Sequence, residues 1–386
     1  AAPSRQMRLW PLLLLRAGRC LAAELTFPSE LAASASSSAS PHQLTADQVA
    51  FGNGYSFTTR GFNGGIPGPT FRFNPGETLH LTLQNNLQAA NNIPCTTTNT
   101  EYCQTATTNM HTHGLHVSSR GMSDGLAYYS DDIFAEIAPG SSAPYRFSIP
   151  DYHMGGTHWY HPHHHHATAM QAGGGMAGVI VVADPANYLP AVYSGMVEKV
   201  VFISGHNLVT LQAMAVSSQS NLMATAATDA TNSGLDTNVF LVNGQVAPTL
   251  TVSSHTWHRF RLVYAAVEQA LQLTVTGDAT CTLALLAKDG VYLPTFPRYI
   301  STIYMYPGAR ADVGVSCTCA AYPCTGTLSS NARRRLQGGP PRQGPGAAGA
   351  AMVAADIMTI SVTETAGGSA AALPTVSLER PCYLAD

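Results

Sequence analysis

From about Leu44 onward the chain is written in short apolar or alternating segments, each closed by a turn signal. Leu79-His80-Leu81-Thr82-Leu83 alternates and follows Asn74-Pro75-Gly76, and Tyr145-Arg146-Phe147-Ser148-Ile149 alternates and precedes Pro150. Gly178-Val179-Ile180-Val181-Val182 is an apolar run ending at Asp184-Pro185. Segments of this length and period between Gly and Pro turns predict an all-β sandwich. No long stretch of helical periodicity competes with it. Further strands are expected at 199–203, 239–242, 259–263, 271–275, 300–305 and 357–362. A chain of 386 residues exceeds one ordinary domain, so two are expected, 44–189 and 190–366, with a linker at 367–386.

Two segments fall outside this pattern. Residues 1–43 combine Met7-Arg8 and Leu12-Leu13-Leu14-Leu15, which resemble the basic and apolar regions of a secretory signal, with an Ala/Ser-rich spacer expected to bury nothing. Residues 331–352 carry Arg333-Arg334-Arg335 and a Gly/Pro/Ala tract, expected as a disordered, solvated insertion in the second domain.

Composition narrows the class. Charged residues are 11% against 45% hydrophobic, and Thr, Ser, Asn, Gly and Pro fill the difference, which suits a turn-rich extracellular protein. A net charge of −3 gives nucleic acid no hold, and no apolar run is long enough for a transmembrane helix. The eight cysteines form no Cys-x-x-Cys pair. They suit disulfides of an oxidising compartment, with Cys95–Cys103 the most plausible local pair, and a secreted protein is expected.

The chemistry sits in histidine. His111 and His113 are one residue apart, as are His161 and His163. On a strand that spacing turns both imidazoles of a pair to one face, roughly 6–7 Å apart along the chain. Such a pair offers one ligand to each of two neighbouring ions, and two such strands side by side could line a multinuclear site. Imidazole suits copper, zinc, iron and nickel alike. The competing reading of His161–His166 is a plain polyhistidine tract, against which stands its framing by Gly155-Gly156-Thr157-His158-Trp159-Tyr160 and Gly173-Gly174-Gly175-Met176-Ala177-Gly178.

Asn109-Met110-His111-Thr112-His113-Gly114-Leu115-His116 resembles the first copper motif of multicopper oxidases, and Trp159-Tyr160-His161-Pro162-His163-His164-His165 resembles the second. Asn63-Gly64-Gly65-Ile66-Pro67-Gly68-Pro69-Thr70, Leu241-Val242-Asn243-Gly244 and Pro307-Gly308-Ala309-Arg310-Ala311-Asp312 agree in order, so the resemblance runs from about Leu44 to Asp386. It implies two consecutive cupredoxin-like (plastocyanin-like) Greek-key β-sandwich domains. It also implies an oxidoreductase coupling one-electron oxidation of a small substrate (a phenol, an amine or a metal ion) to reduction of O2 to water. Carried over by position, His111 would bind the type 2 copper, and His113, His161 and His163 the paired type 3 coppers. No catalytic residue beyond these ligands is implied. His165 matches a family histidine that is not a ligand, and His166 stands where the family often has Gly. His116, His153 and His158 are expected to serve as local hydrogen-bonding or surface residues, and His255 and His258 as structural ones in a turn.

The resemblance also implies absences. The family's three-copper cluster takes eight histidines, and its type 1 copper takes a Cys beside His; no His follows His258, and no Cys here has a His neighbour. The expectation is a truncated, laccase-like chain with half of the trinuclear site and no type 1 site. Such a chain would be inactive alone, and a missing third domain or another subunit would complete the cluster. The alternative is a non-catalytic copper-binding or scaffold protein of the same fold.

Overall fold

The computed structural model describes residues 23–97, 102–208, 211, 238–267, 269–331, 351–352, 354–365 and 368–384. The signal-like residues and most of the 331–352 insertion lie outside them. At its edges, Asn331 donates to the Gln272 carbonyl and Ala351–Met352 pairs with Gln269–Ala270, so those ends belong to the sheet.

The N-terminal half contributes β1 (Glu30–Ala32), β2 (His42–Gly52), β3 (Tyr55–Phe62), β4 (Thr70–Phe73), β5 (Thr78–Asn85), β6 (His111–His113), β7 (Ser142–Ser148), β8 (Gly156–His161) and β9 (Gly178–Val182), with helix α1 at Thr168–Gly174. One sheet runs β3-β2-β5-β7 and the other β1-β4-β9-β8-β6. Strand order departs from chain order in both, as in a Greek-key sandwich. Alternation decides which residues face inward. Leu79, Leu81 and Leu83 of β5 and Tyr145 and Phe147 of β7 meet Phe71, Phe73, Tyr160, Ile180 and Val182 of the facing sheet in one core. Phe71 and Tyr160 stack at 4.1 Å, and the Tyr160 hydroxyl donates to the Pro69 carbonyl.

The expectation that residues before Leu44 bury nothing is overturned. β1 pairs in parallel with β4, Glu30 opposite Thr70, Leu25 and Ala33 are buried, and Arg72 holds Glu30 in an ion pair. An alanine needs only a close neighbour to be buried, and the pairing partner lies about 40 residues ahead, where no local pattern points.

The C-terminal half builds a second sandwich. One sheet is centred on Val197–Asn207, His258–Ala265, Arg310–Thr318 and Thr280–Lys288, and the other on Thr249–Ser253, Ala355–Thr363, Cys324–Ser330, Gln269–Gly277 and Ile303–Met305. Val201, Ile203, Phe260, Leu262, Val313, Leu271, Leu273, Leu328 and Ile360 fill it. The fold class is therefore the expected one, two cupredoxin-like sandwiches. Disulfides join Cys95 to Cys103, Cys281 to Cys317 across adjacent strands, and Cys319 to Cys324.

The two halves meet face to face, which explains why β9 is apolar throughout. Ile180 and Val182 point into the first core, whereas Val179 and Val181 join Trp159 against Val200, Phe202, Val263 and Ala265. All of β8 is buried as a result. The contact also carries buried charge. Asp312, 1% exposed, accepts from Arg259 at 3.0 Å, from Arg261 at 2.9 Å and from the Thr157 hydroxyl of β8. Arg259 reaches on to Asp184, and Arg261 to Glu198, which pairs with Arg72.

His206 is a second buried polar group at this contact. Its Nδ1 faces the Gly173 carbonyl at 2.8 Å and its Nε2 the Ser204 hydroxyl at 2.9 Å. Burial pushes its pKa down to about 4, against which the Gly173 bond acts. The unfolded chain takes up this proton near pH 6.5 and the folded one only near pH 4, so stability present above 6.5 is lost across that window as pH falls. Conversion of the shift gives roughly 3 kcal/mol. His206→Gln should flatten the dependence of the urea midpoint between pH 7 and 4; an unchanged slope would show that other groups set it.

Candidate metal centre

β6 and β8 are antiparallel neighbours, with His111 opposite His161 and His113 opposite Trp159. The register places His111, His113 and His161 around one space, their ligand nitrogens all within 4.8 Å of one another. Ring centroids lie 5.6 Å apart for His111 and His113, and 5.2 Å for His111 and His161. His163 lies beyond the end of β8, with Pro162 between them. Its ring still stands 5.1 Å from His111 and 5.9 Å from His161. The four expected residues are thus brought together, although only the first pair lies wholly within a strand.

Neighbours fix which nitrogen His111 and His161 offer. His111 Nδ1 is 3.0 Å from both Asp131 carboxylate oxygens, so it donates there and leaves Nε2 for a metal. The Thr112 amide and hydroxyl donate to the same carboxylate. Burial alone would raise the Asp131 pKa; the hydrogen bond and charge of His111 and the Thr112 amide carry it below the ordinary value. His161 donates Nδ1–H to the Pro162 carbonyl at 2.9 Å, leaving Nε2 facing His113 at 3.4 Å. The His163 amide donates to the Asn109 side chain, itself held by the Ile133 and Ala135 carbonyls. Trp159 stacks on His161 at 4.2 Å and closes the back of the site.

Both inner imidazoles are kept neutral. Burial lowers the His161 pKa to about 3 and the His113 pKa to about 4, with the Arg310 guanidinium adding to the effect on His113. Neutral imidazole is the ligand form. Three converging nitrogens, one buried and two half-buried, without thiolate, are a donor set that fits copper.

The second sandwich supports this wall. Arg310 donates to the Gly308 and Asp289 carbonyls, and a Cβ on Gly114 would sit 2.4 Å from its guanidinium and 2.8 Å from His158 Nδ1. With φ at +100° as well, the position after His113 admits only glycine. Asp131 and Arg310 are the functional neighbours that sequence reasoning missed. Asp131 carried no spacing signal, and Arg310 was legible only as part of the Pro307–Asp312 resemblance.

The other histidines stand apart from these four. His153 and His158 are buried, not superficial; His153 accepts from the His116 amide, and exposed His116 stacks on Tyr383 at 4.9 Å. His258 opens a strand and is buried, while His255 sits 3.2 Å from the Tyr322 hydroxyl.

A family model described as multicopper oxidase matches residues 89–187, the segment holding all four histidines. Laccase-3 of Thanatephorus cucumeris is 28% identical over 256 residues, covering 66% of this chain and 40% of that protein. The multicopper oxidase mco of Staphylococcus aureus is 26% identical, covering 68% and 49%. The segment that holds the four histidines thus matches the multicopper oxidase family model, and about two thirds of the chain resembles laccases and multicopper oxidases. A solved multicopper oxidase from Campylobacter jejuni, titled a metallo-oxidase, superposes with a TM-score of 0.61 at 19% identity, over 94% of this chain and 65% of that one. A laccase from Pediococcus acidilactici superposes at 0.60 and 20% identity, over 95% and 66%. Those two likenesses speak for the fold. The chain spans about two fifths of the length of the first two curated relatives.

Proposed function

We propose that His111, His113, His161 and His163 form one wall of a copper centre in an oxidase that couples one-electron oxidation of a small reductant to the reduction of O2 to water. The reductant class is a phenol, an aromatic amine or a metal ion. The observation that carries the reading is the convergence of three imidazole nitrogens within 4.8 Å. His111 takes the type 2 position and His113, His161 and His163 the type 3 positions. The opposite wall and the electron-accepting type 1 copper come from outside these 386 residues, because four imidazoles do not saturate three coppers and no Cys here adjoins a His.

Copper bound here would supply one-electron redox capacity toward dioxygen. The chain's own residues do the positioning. Asp131 keeps the proton on His111 Nδ1, the Pro162 carbonyl keeps it on His161 Nδ1, Asn109 holds the backbone at His163, and Trp159 packs against the rear of the array. The sequence domains 44–189 and 190–366 then divide the labour: the first carries the ligands and the second backs them through Gly308 and Arg310. Three disulfides support an oxidising, extracellular setting. No described helix is long and apolar enough to cross a membrane.

Copper retention after dialysis, by elemental analysis and electron paramagnetic resonance (EPR), tests the reading. Asp131→Asn should weaken retention roughly 10–100-fold by freeing the His111 ring. Wild-type chain that keeps no copper would overturn it.

A further inference from the structure

Outside the candidate centre, one other group of ligand-type side chains converges among the described residues. The Sγ atoms of Cys95 and Cys103 and a ring nitrogen of His166 all lie within 4.8 Å of one another. The two cysteines form a disulfide here; in the newly made chain, before oxidation, they are thiols. Their surroundings hold them together without the bond. The Gln104 amide donates to the Ile93 carbonyl at 2.7 Å, and the Thr105 hydroxyl to the Asn91 carbonyl at 2.9 Å. The Ala106 and Thr107 amides both donate to the Asn92 side chain. With the Cα atoms of Cys95 and Cys103 4.9 Å apart, rotation about the Cα–Cβ bonds parts the sulfurs to the roughly 3.5–4 Å that separates two ligands of one ion. His166 is brought to them by a turn in which the His164 carbonyl accepts from the Ala167 and Thr168 amides. Cys103 is buried, His166 half-buried and Cys95 exposed, so an ion enters from the Cys95 side.

We propose that Cys95 and Cys103 in their thiol form, with His166, bind copper(I) while the protein is being assembled. Two thiolates and an imidazole are a soft donor set, which selects copper(I) or zinc(II). Structural zinc takes four ligands; three converge here, which fits copper(I) better. Each thiol gives up its proton as it binds. Closure of the pair ends the site. The two thiolates attack a second disulfide in turn, the Cys95–Cys103 bond forms, and the second disulfide leaves as two thiolates. The copper is neither oxidised nor reduced and departs as copper(I). His166 lies three residues past His163, so the ion is released within about 11 Å of chain from the candidate centre. That last link rests on the copper reading above, whereas the site itself does not.

The test uses the full chain in a His113→Ala/His161→Ala background, which removes the candidate centre and keeps its success or failure out of the result. The chain is titrated anaerobically with copper(I) against a chromogenic copper(I) chelator, before and after reduction by a phosphine. The reduced chain should hold one copper(I) more than the same chain carrying Cys95→Ser/Cys103→Ser, with thiolate-to-copper absorption in the ultraviolet. Both chains lack the bond and share every other cysteine, so the difference belongs to this pair. His166→Asn, a residue that accepts the left-handed φ of +70° at this position, should weaken that copper(I) at least about tenfold. The unreduced chain should lack it. Equal copper(I) stoichiometry and affinity in the serine variant would overturn the site. So would an unchanged affinity in His166→Asn, or displacement of the copper(I) by an equal concentration of zinc(II).

Discussion

Replacing Asp312 by alanine is expected to lower the unfolding free energy by about 3–5 kcal/mol, the largest stability effect of any single change here. The reason is the company it keeps. Asp312 is 1% exposed and takes hydrogen bonds from Arg259 and Arg261, both about 4% exposed, and from Thr157. Burial alone would raise its pKa, but the two guanidinium charges hold it below the ordinary carboxylate value. Removing the carboxylate leaves two buried cations with one carboxylate partner each, Asp184 for Arg259 and Glu198 for Arg261. Asp312→Asn keeps the shape and loses the charge, so it should fall between wild type and alanine. Urea unfolding at pH 7 measures both, and a loss below about 1 kcal/mol for alanine would mean that Asp184 and Glu198 suffice. Because Thr157 lies on β8, the alanine variant should also hold copper less well at temperatures where it is still folded.

How much of this was legible beforehand follows from the range of the interactions. The alternation in β5 and β7 is local, and both strands lie where period 2 puts them. The unbroken apolar run of β9 was readable as a strand, but not the reason for it, which is a second sandwich on its outer face. β1 was missed because its evidence is a pairing with Thr70–Arg72 and the burial of one alanine. The histidines announced themselves by spacing and framing. Asp131 did not, since what gives it meaning is a 20-residue loop returning its carboxylate to His111. Nor could spacing show that β8 ends at His161, so the same one-residue interval is reached by strand pleat in one pair and past the strand's end in the other.

The largest functional effect is expected at His161. His161→Ala should weaken copper retention at least about a hundredfold, beyond what loss of a supporting hydrogen bond causes. His161 stands opposite His111 in the register and 3.4 Å from the His113 ring nitrogen, so it is the member that touches both halves of the first pair. Its removal takes a ligand from the middle of the array, where no other described histidine is placed to substitute. His116→Ala is the matched control: it lies three residues past His113, is exposed, and stacks on Tyr383 outside the array. Alanine also deletes the ring under Trp159, so part of any loss could be structural. His161→Gln separates the two, because its amide fills much of the space and is a far poorer copper ligand. If the array binds copper, both His161 variants lose the metal while the glutamine form keeps a near wild-type unfolding midpoint. Retention of copper by both variants at the wild-type level, by elemental analysis after dialysis, would remove His161 from the ligand set and with it the case for a shared centre on these two strands.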